Sequence, residues 1–357
     1  MHIEEISTRG HERVLFGTDE ASGLRSFIAL HDTTLGPGLG GCRMWNYDTV
    51  QEALADVLQL SEGMTAKSAL AGVPFGGGKA VIIGDSKTQK TPELLRAFGR
   101  FVESLHGTFF TGEDVGMSPQ DMLIAAEETQ YVSGLTVGRH ASGDPSPVTA
   151  EGVFLCMKVA AGLRLGSEDL AGLRVAVQGL GHVGMALAER VHEARARLIA
   201  ADVNPDATCV AADKLNAEIV APENIVQAAA EIIAPCALGG VLTDATVAQL
   251  RARIVCGSAN NQLAIPAHAQ MLFERDVLYC PDYVVNSGGL INIAREVLKI
   301  EDESWTEEKL NAAVDTFRDL ISEAHEANCP PLEVANAMVR NILSGAKADP
   351  PRRASSM

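Results

Sequence analysis

The chain has 357 residues, more than one hydrophobic core ordinarily serves, so two domains with a cleft between them are expected. Hydrophobic residues make up 46% and charged residues 21%, enough apolar surface to offset chain entropy, which excludes general disorder. A formal charge of -17 with no long basic run excludes nucleic acid as a partner, because that affinity rests on Lys and Arg displacing counter-ions.

The cysteines, Cys42, Cys156, Cys209, Cys236, Cys256, Cys280 and Cys329, are scattered, odd in number and free of any C-x-x-C pair. Reduced thiols, a cytoplasmic location and no metal site are expected. MHIEEISTRGHERV at the start has no apolar segment, and no uncharged apolar stretch approaches the length of a membrane span, so neither export nor a membrane partner is expected.

In chain order, SFIALH (26–31) reads as a strand, and TTLGPGLGGCR after it is too rich in glycine for a helix, which suits a loop beside a ligand. Thr49 and Glu52 have capping-box spacing, and Ala53, Leu54, Val57, Leu58 and Leu60 follow at helical intervals, so a helix is expected from about 50 to 63. Gly76, Gly77 and Gly78 precede Lys79 and the apolar run AVIIG, a pattern that predicts a glycine loop feeding a buried strand. Thr91 and Pro92 open a helix to about Leu105.

The Gly, Pro and Ser of SGDPSPVTAEGV (142–153) mark a domain boundary. Beyond it βα units alternate. VAVQGL (175–180) and RLIAADV (197–203) are strands around the helical GMALAERVHEA, and EIIAPCA, RIVCGSA and VLYCP repeat the strand pattern at the spacing of a parallel sheet. Ser304 and Glu307 form a second capping box, ahead of a helix with Leu310, Val314, Phe317 and Ile321 on one face. KADPPRRASSM reads as disordered.

Gly179-Leu180-Gly181-His182-Val183-Gly184 has G-x-G-x-x-G spacing between a strand and a helix. These glycines allow a tight turn, close approach of a pyrophosphate and close helix packing, while the helix N-terminus favours phosphate charge. His182 contributes only its backbone there. Asp202 ends the next strand, 18 residues after Gly184, where a carboxylate can accept hydrogen bonds from ribose hydroxyls. A 2′-phosphate would meet a like charge, and Val203, Asn204 and Pro205 supply no arginine, so NAD is the expected cofactor. The competing reading is a tight turn with no ligand, which Asp202 argues against.

Lys67 lies in GMTAKSA and Lys79 closes PFGGGK, both beside small residues that admit a substrate. A lysine between three glycines and a buried strand is partly desolvated, and desolvation makes a lysine a usable base near neutral pH. On these grounds alone a surface loop lysine is an equal alternative. GGGK is not a phosphate loop, for it lacks the first glycine, the spacing and the following Ser or Thr.

Seven segments carry a resemblance in order along nearly the whole chain: GPGLGGCRMW (36–45), EGMTAKSALAGVPFGGGKAVIIGD (62–85), TGEDVG (111–116), GDPSPVTAEGVF (143–154), VQGLGHVG (177–184), GSANNQL (257–263) and PDYVVNSGGLIN (281–292). The chain resembles the glutamate, leucine, phenylalanine and valine dehydrogenase family, with the leucine, phenylalanine and tryptophan enzymes as the nearest branch. The resemblance implies an α/β architecture: an N-terminal α/β substrate, catalytic and oligomerisation domain (1–142) plus a C-terminal Rossmann-type doubly wound NAD-binding domain (143–325). A C-terminal helix (326–349) returns to the first domain, and a disordered tail (350–357) follows. It also implies a homo-oligomer, a dimer or an octamer.

By the same resemblance, Lys67 binds the substrate α-carboxylate, Lys79 activates the water that attacks the imino acid, and Asp114 holds the amine and exchanges protons with departing ammonia. Leu39, Gly40, Gly41, Met64, Gly112, Leu290 and Ile293 line the substrate. Thr149 faces the cofactor with Gly179, Leu180, Gly181, His182, Val183, Gly184 and Asp202. Asn261 touches substrate or nicotinamide, with Asn260 as the alternative, and in both Thr149 and Asn261 a turn-capping role competes.

Glutamate enzymes of the family resemble K-G-G-x-R where this chain reads Leu39-Gly40-Gly41-Cys42-Arg43, and they resemble a serine at Ile293. Leucine in place of the lysine removes the partner of a substrate side-chain carboxylate, whose uncompensated burial costs several kcal/mol. An apolar L-amino acid is therefore expected, interconverted with its 2-oxo acid and ammonia. Gly112 and Leu290 resemble phenylalanine dehydrogenases more than leucine dehydrogenases, and because a methylene discriminates by only ~1–3 kcal/mol a broad apolar range is expected. A glutamate dehydrogenase is the runner-up, and a catalytically silent nucleotide-binding relative is the reading from another class.

Overall fold

The computed structural model describes residues 1–302 and 304–348. The tail expected at 350–357 lies outside the described residues. The chain divides into two compact units. One comprises Met1–Asp144, Leu290–Thr306 and the chain from Val339, and the other Pro145–Gly289 and Glu307–Met338. The expected domain 143–325 differs from this division, since residues from Leu290 to Thr306 group with the first unit.

The first unit begins with β1 (His2–Glu5), β2 (Arg13–Asp19), β3 (Leu24–Leu30), β4 (Gly38–Leu39) and β5 (Cys42–Trp45). Then come α1 (Val50–Leu70), β6 (Gly76–Ile83), α2 (Pro92–Glu103), β7 (Phe109–Phe110) and α3 (Pro119–Ala125). Its sheet runs β1-β2-β3-β6-β4-β7, with β5 also paired to β6. The β1-β2-β3-β6 pairings are antiparallel, and β4 and β5 join β6 in parallel. Alternation along β6 divides the core. Val81 packs with Phe27, Ala29 and the α1 residues Ala53, Val57 and Leu60. Ala80 and Ile82 pack on the opposite face with Leu94, Phe98 and Phe101 of α2.

Two expectations change in this unit. Helix α1 does not stop near 63 but continues to Leu70. Gly63 costs an isolated helix about 1 kcal/mol, and packing along β6 outweighs that. The glycine loop expected at 76–78 is instead the start of β6 itself. The glycines there serve closeness rather than turning. A Cβ on Gly77 would lie 2.0 Å from Thr65 Oγ1 and 2.3 Å from the Ser61 carbonyl oxygen, so only glycine lets α1 lie this near the strand.

The second unit holds α4 (Ser146–Leu165), β8 (Arg174–Gln178), α5 (His182–Glu193), β9 (Arg197–Ala201), α6 (Pro205–Leu215) and β10 (Glu218–Ile219). A 3-10 turn (Pro222–Gln227), β11 (Ile232–Pro235), α7 (Asp244–Gln249), β12 (Ile254–Val255), α8 (His268–Glu274), β13 (Leu278–Tyr279) and α9 (Asp282–Val285) follow. The sheet order is β10-β9-β8-β11-β12-β13, all parallel. Counted from the first strand this is 3-2-1-4-5-6, the doubly wound order of dinucleotide-binding domains, which reverses between β8 and β11.

Helices α10 (Gly288–Val297), α11 (Ser304–Ala327) and α12 (Pro331–Ala348) complete the chain. The break at Cys329 and Pro330 makes α12 a separate helix within the expected 326–349. Within the first unit, the buried Glu296 of α10 accepts from Gly134 N at 2.9 Å, Leu135 N at 3.3 Å, Ser142 N at 3.2 Å and Ser142 Oγ at 2.5 Å. One turn earlier, Asn292 Nδ2 donates to the Ser142 carbonyl at 3.1 Å. These bonds fasten the 134–142 loop to α10.

Candidate active site

Strand parity assembles the first half of the site. Gly77, Lys79 and Val81 occupy the β6 face that carries α1, and Ala29 and Leu39 are the register partners of Lys79 and Gly77. Lys79 is buried, with 7% exposure. Arg43 is paired in register with Val81 and so shares this face. Met64 and Lys67 are half-buried near the end of α1, which packs along β6.

The segment 111–116 runs beside β4 and β5. Cys42 N donates to the Gly112 carbonyl at 2.8 Å, and Cys42 bridges to Glu113. This brings Asp114 Oδ2 to 2.9 Å from Lys79 Nζ and 3.3 Å from Arg43 Nε. Burial of the Asp114 carboxyl raises its pKa, but Lys79, Arg43 and the Val115 N–H outweigh that and bring it down to about 2. Its side chain remains 16% exposed.

Gly40 is buried and Gly41 half-buried between β4 and β5. Gly112 faces Ser133, whose Oγ would lie 3.2 Å from an added Cβ. Leu290 is buried and Ile293 half-buried on α10 in the same unit. Sequence reasoning assigned no role to Arg43. Its place on the face of Lys79 comes from the pairing of β5 with β6, which residue type and spacing do not reveal.

The second unit carries the dinucleotide elements. Gly179 has φ +92, the left-handed conformation that turns the chain from β8 towards α5. A Cβ on Gly184 would lie 2.0 Å from the Gly179 carbonyl oxygen, whereas Gly181, at the N-cap of α5, has open space where a Cβ would be. No side chain caps α5. An open cradle at an uncapped helix N-terminus fits a pyrophosphate. Leu180 is buried, and His182 is exposed with Val183 half-buried behind it.

Asp202 follows β9 directly. Its Oδ2 accepts from Leu180 N at 2.5 Å and its Oδ1 from Asn204 N at 2.7 Å, which ties it to the glycine turn. Val203 beside it is exposed. Thr149 Oγ1 donates to the Pro145 carbonyl at 2.9 Å on the first turn of α4, and Gly289 passes close enough that its Cβ would lie 2.7 Å from that hydroxyl. Asn286 Nδ2 donates to Asn260 Oδ1 at 2.8 Å and to the Ser258 carbonyl at 3.0 Å. Asn260 and Asn261 are both exposed, Asn260 tied to Asn286 through its Oδ1 and Asn261 in the left-handed conformation at φ +53.

Two family descriptions match the chain: Glu/Leu/Phe/Val dehydrogenase, dimerisation domain, over residues 11–131, and Glutamate/Leucine/Phenylalanine/Valine dehydrogenase over 207–348. A leucine dehydrogenase of Geobacillus stearothermophilus is 44% identical over 338 residues, 95% of this chain and 92% of that protein. A phenylalanine dehydrogenase of Lysinibacillus sphaericus is 47% identical over 343 residues, 94% of this chain and 89% of that protein. The crystal structure of L-tryptophan dehydrogenase from Nostoc punctiforme superposes with a TM-score of 0.81 at 41% identity, covering 95% of this chain and 97% of that one. With its buried Lys79–Asp114 pair and its dinucleotide-type sheet, the chain is an amino-acid dehydrogenase and belongs to the glutamate/leucine/phenylalanine/valine dehydrogenase family.

Proposed function

We propose that the protein catalyses the NAD-dependent, reversible oxidative deamination of an apolar L-amino acid to its 2-oxo acid and ammonia. The observation that carries this reading is the buried Lys79–Asp114 pair at 2.9 Å in a chain whose Leu39 replaces the lysine of glutamate enzymes. Asp114, ionised in the resting enzyme, accepts from the substrate amine and takes its proton. Lys67 holds the α-carboxylate. When bound, the nicotinamide accepts the hydride from the substrate Cα. Lys79, acting as the neutral amine, then draws a proton from the water that attacks the imino carbon, and Asp114 returns a proton to the departing ammonia.

The pyrophosphate is assigned to the backbone of Gly179, Leu180, Gly181, His182, Val183 and Gly184, and the ribose to Asp202. Thr149 and Asn261 are assigned to the nicotinamide end. NAD rather than NADP is supported by the Asp202 carboxylate and the absence of arginine at 203–205. Leu39, Gly40, Gly41, Met64, Gly112, Leu290 and Ile293 are assigned to the apolar side chain. A cytoplasmic homo-oligomer completes the reading; among the described residues no helix is long and apolar enough to cross a membrane. The test follows NADH absorbance with a panel of L-amino acids at alkaline pH. Turnover of leucine, valine, phenylalanine or tryptophan is expected; turnover of glutamate alone, or of none, overturns the reading.

A further inference from the structure

Asp114 Oδ2 is shared by two cations, Lys79 and Arg43. Arg43 is gripped from the other side. Its Nη1 donates to Asp56 Oδ2 at 3.0 Å and to Oδ1 at 3.3 Å, and Tyr47 OH donates to the same Oδ2 at 2.5 Å. Five parts of the first unit meet in this chain: α1 supplies Asp56, the turn after β5 supplies Tyr47, β5 supplies Arg43, the 111–116 segment supplies Asp114, and β6 supplies Lys79. Two carboxylates balance two cations, so each partner keeps the others from being buried uncompensated. A guanidinium carries its donors in fixed directions, so anchoring one edge on Asp56 fixes where Nε points.

We propose that Asp56 and Tyr47 are positioning residues for deamination, acting through Arg43 to hold the Asp114 carboxylate in register with Lys79 and the substrate amine. This rests on the catalytic role proposed for Asp114. Neither Asp56 nor Tyr47 needs to touch substrate. Their effect falls on proton transfer and not on cofactor binding, whose residues lie in the other unit.

The experiment uses the full chain with NAD and the best amino acid of the panel, and compares Asp56→Asn and Tyr47→Phe in the wild-type and Asp114→Asn backgrounds. Asp56→Asn is expected to lower kcat about ten-fold and Tyr47→Phe about three-fold, with a larger solvent deuterium isotope effect on kcat and unchanged affinity for NAD. In the Asp114→Asn background, each is expected to change kcat by less than about two-fold, because the group they position is gone. A loss of folded enzyme would lower kcat without moving the isotope effect. If Asp56→Asn does not fold, Tyr47→Phe removes a single hydroxyl and carries the same test. Unchanged kcat and isotope effect, or an equal loss in both backgrounds, overturns the positioning role alone. Wild-type kcat in Asp114→Asn itself overturns the role of Asp114 and the positioning with it.

Discussion

Replacing Gly77 by alanine tests the closeness of α1 and β6 directly. The new Cβ would meet Thr65 Oγ1 at 2.0 Å, the Ser61 carbonyl oxygen at 2.3 Å and Thr65 N at 2.7 Å, all inside the 3.0 Å that real Cβ contacts essentially never breach. Two of these atoms are backbone and cannot rotate away, so the helix must lift. Overpacking of this kind costs up to about 3 kcal/mol, and the lower chain entropy of alanine returns at most about 1, leaving a net loss of about 2. For a unit of this size that lowers the melting temperature by roughly 4–8 °C. Met64 and Lys67 ride on the displaced end of α1, so KM for the amino acid is expected to rise while the dissociation constant for NAD stays put. Calorimetry with steady-state kinetics reads both. A Gly77→Ala enzyme with unchanged melting temperature and KM refutes the reasoning. So does rescue by Thr65→Ala, which would remove only the side-chain contact and leave the Ser61 carbonyl in place.

Lys79→Ala is expected to lower kcat about a thousand-fold with NAD affinity intact, as checked by single-turnover kinetics and calorimetric titration; parallel loss of both contradicts its role as base. Asp202→Ala is expected to weaken NAD about ten-fold and narrow the preference over NADP, read from kcat/KM for the two cofactors; unchanged selectivity removes Asp202 from the ribose site. Acid stability also carries a signature. The Asp114 carboxyl lies below its ordinary 3.8 at about 2 in the folded chain, so the unfolded chain binds the proton more tightly. Its contribution, about 2 kcal/mol, is therefore complete above pH 3.8 and is lost as pH falls through about 2. Between those values wild type is expected to lose stability more steeply than Asp114→Asn in denaturant titrations, and equal slopes contradict the depressed pKa.

The second unit was legible because a buried parallel sheet writes itself as short apolar runs between helices, and VAVQG and RLIAAD fall where β8 and β9 lie. Two edge strands, β1 and β10, were not legible. β1 is exposed throughout and β10 is two exposed residues, so neither shows a burial period. Gly76–Gly78 misled for a different reason: glycine marks both tight turns and close packing, and only the position of Thr65 and Ser61 tells them apart. Lys79 and Asp114 were singled out by residue type and resemblance. Arg43, Asp56 and Tyr47 were not, since their chemistry depends on which strand lies beside β6, and that pairing is tertiary information.

The Glu296 clamp has a consequence for synthesis of the chain. Gly134 and Glu296 are 162 residues apart, and the whole of Pro145–Gly289 is made between them. A ribosome has therefore released most of the second unit before the donors of the 134–142 loop can find their acceptor. The later segment completes a unit whose sheet came first, a long closure that slows assembly and leaves the loop open meanwhile. A chain cut before α10 would keep every strand of the first sheet yet lack the carboxylate that shuts it.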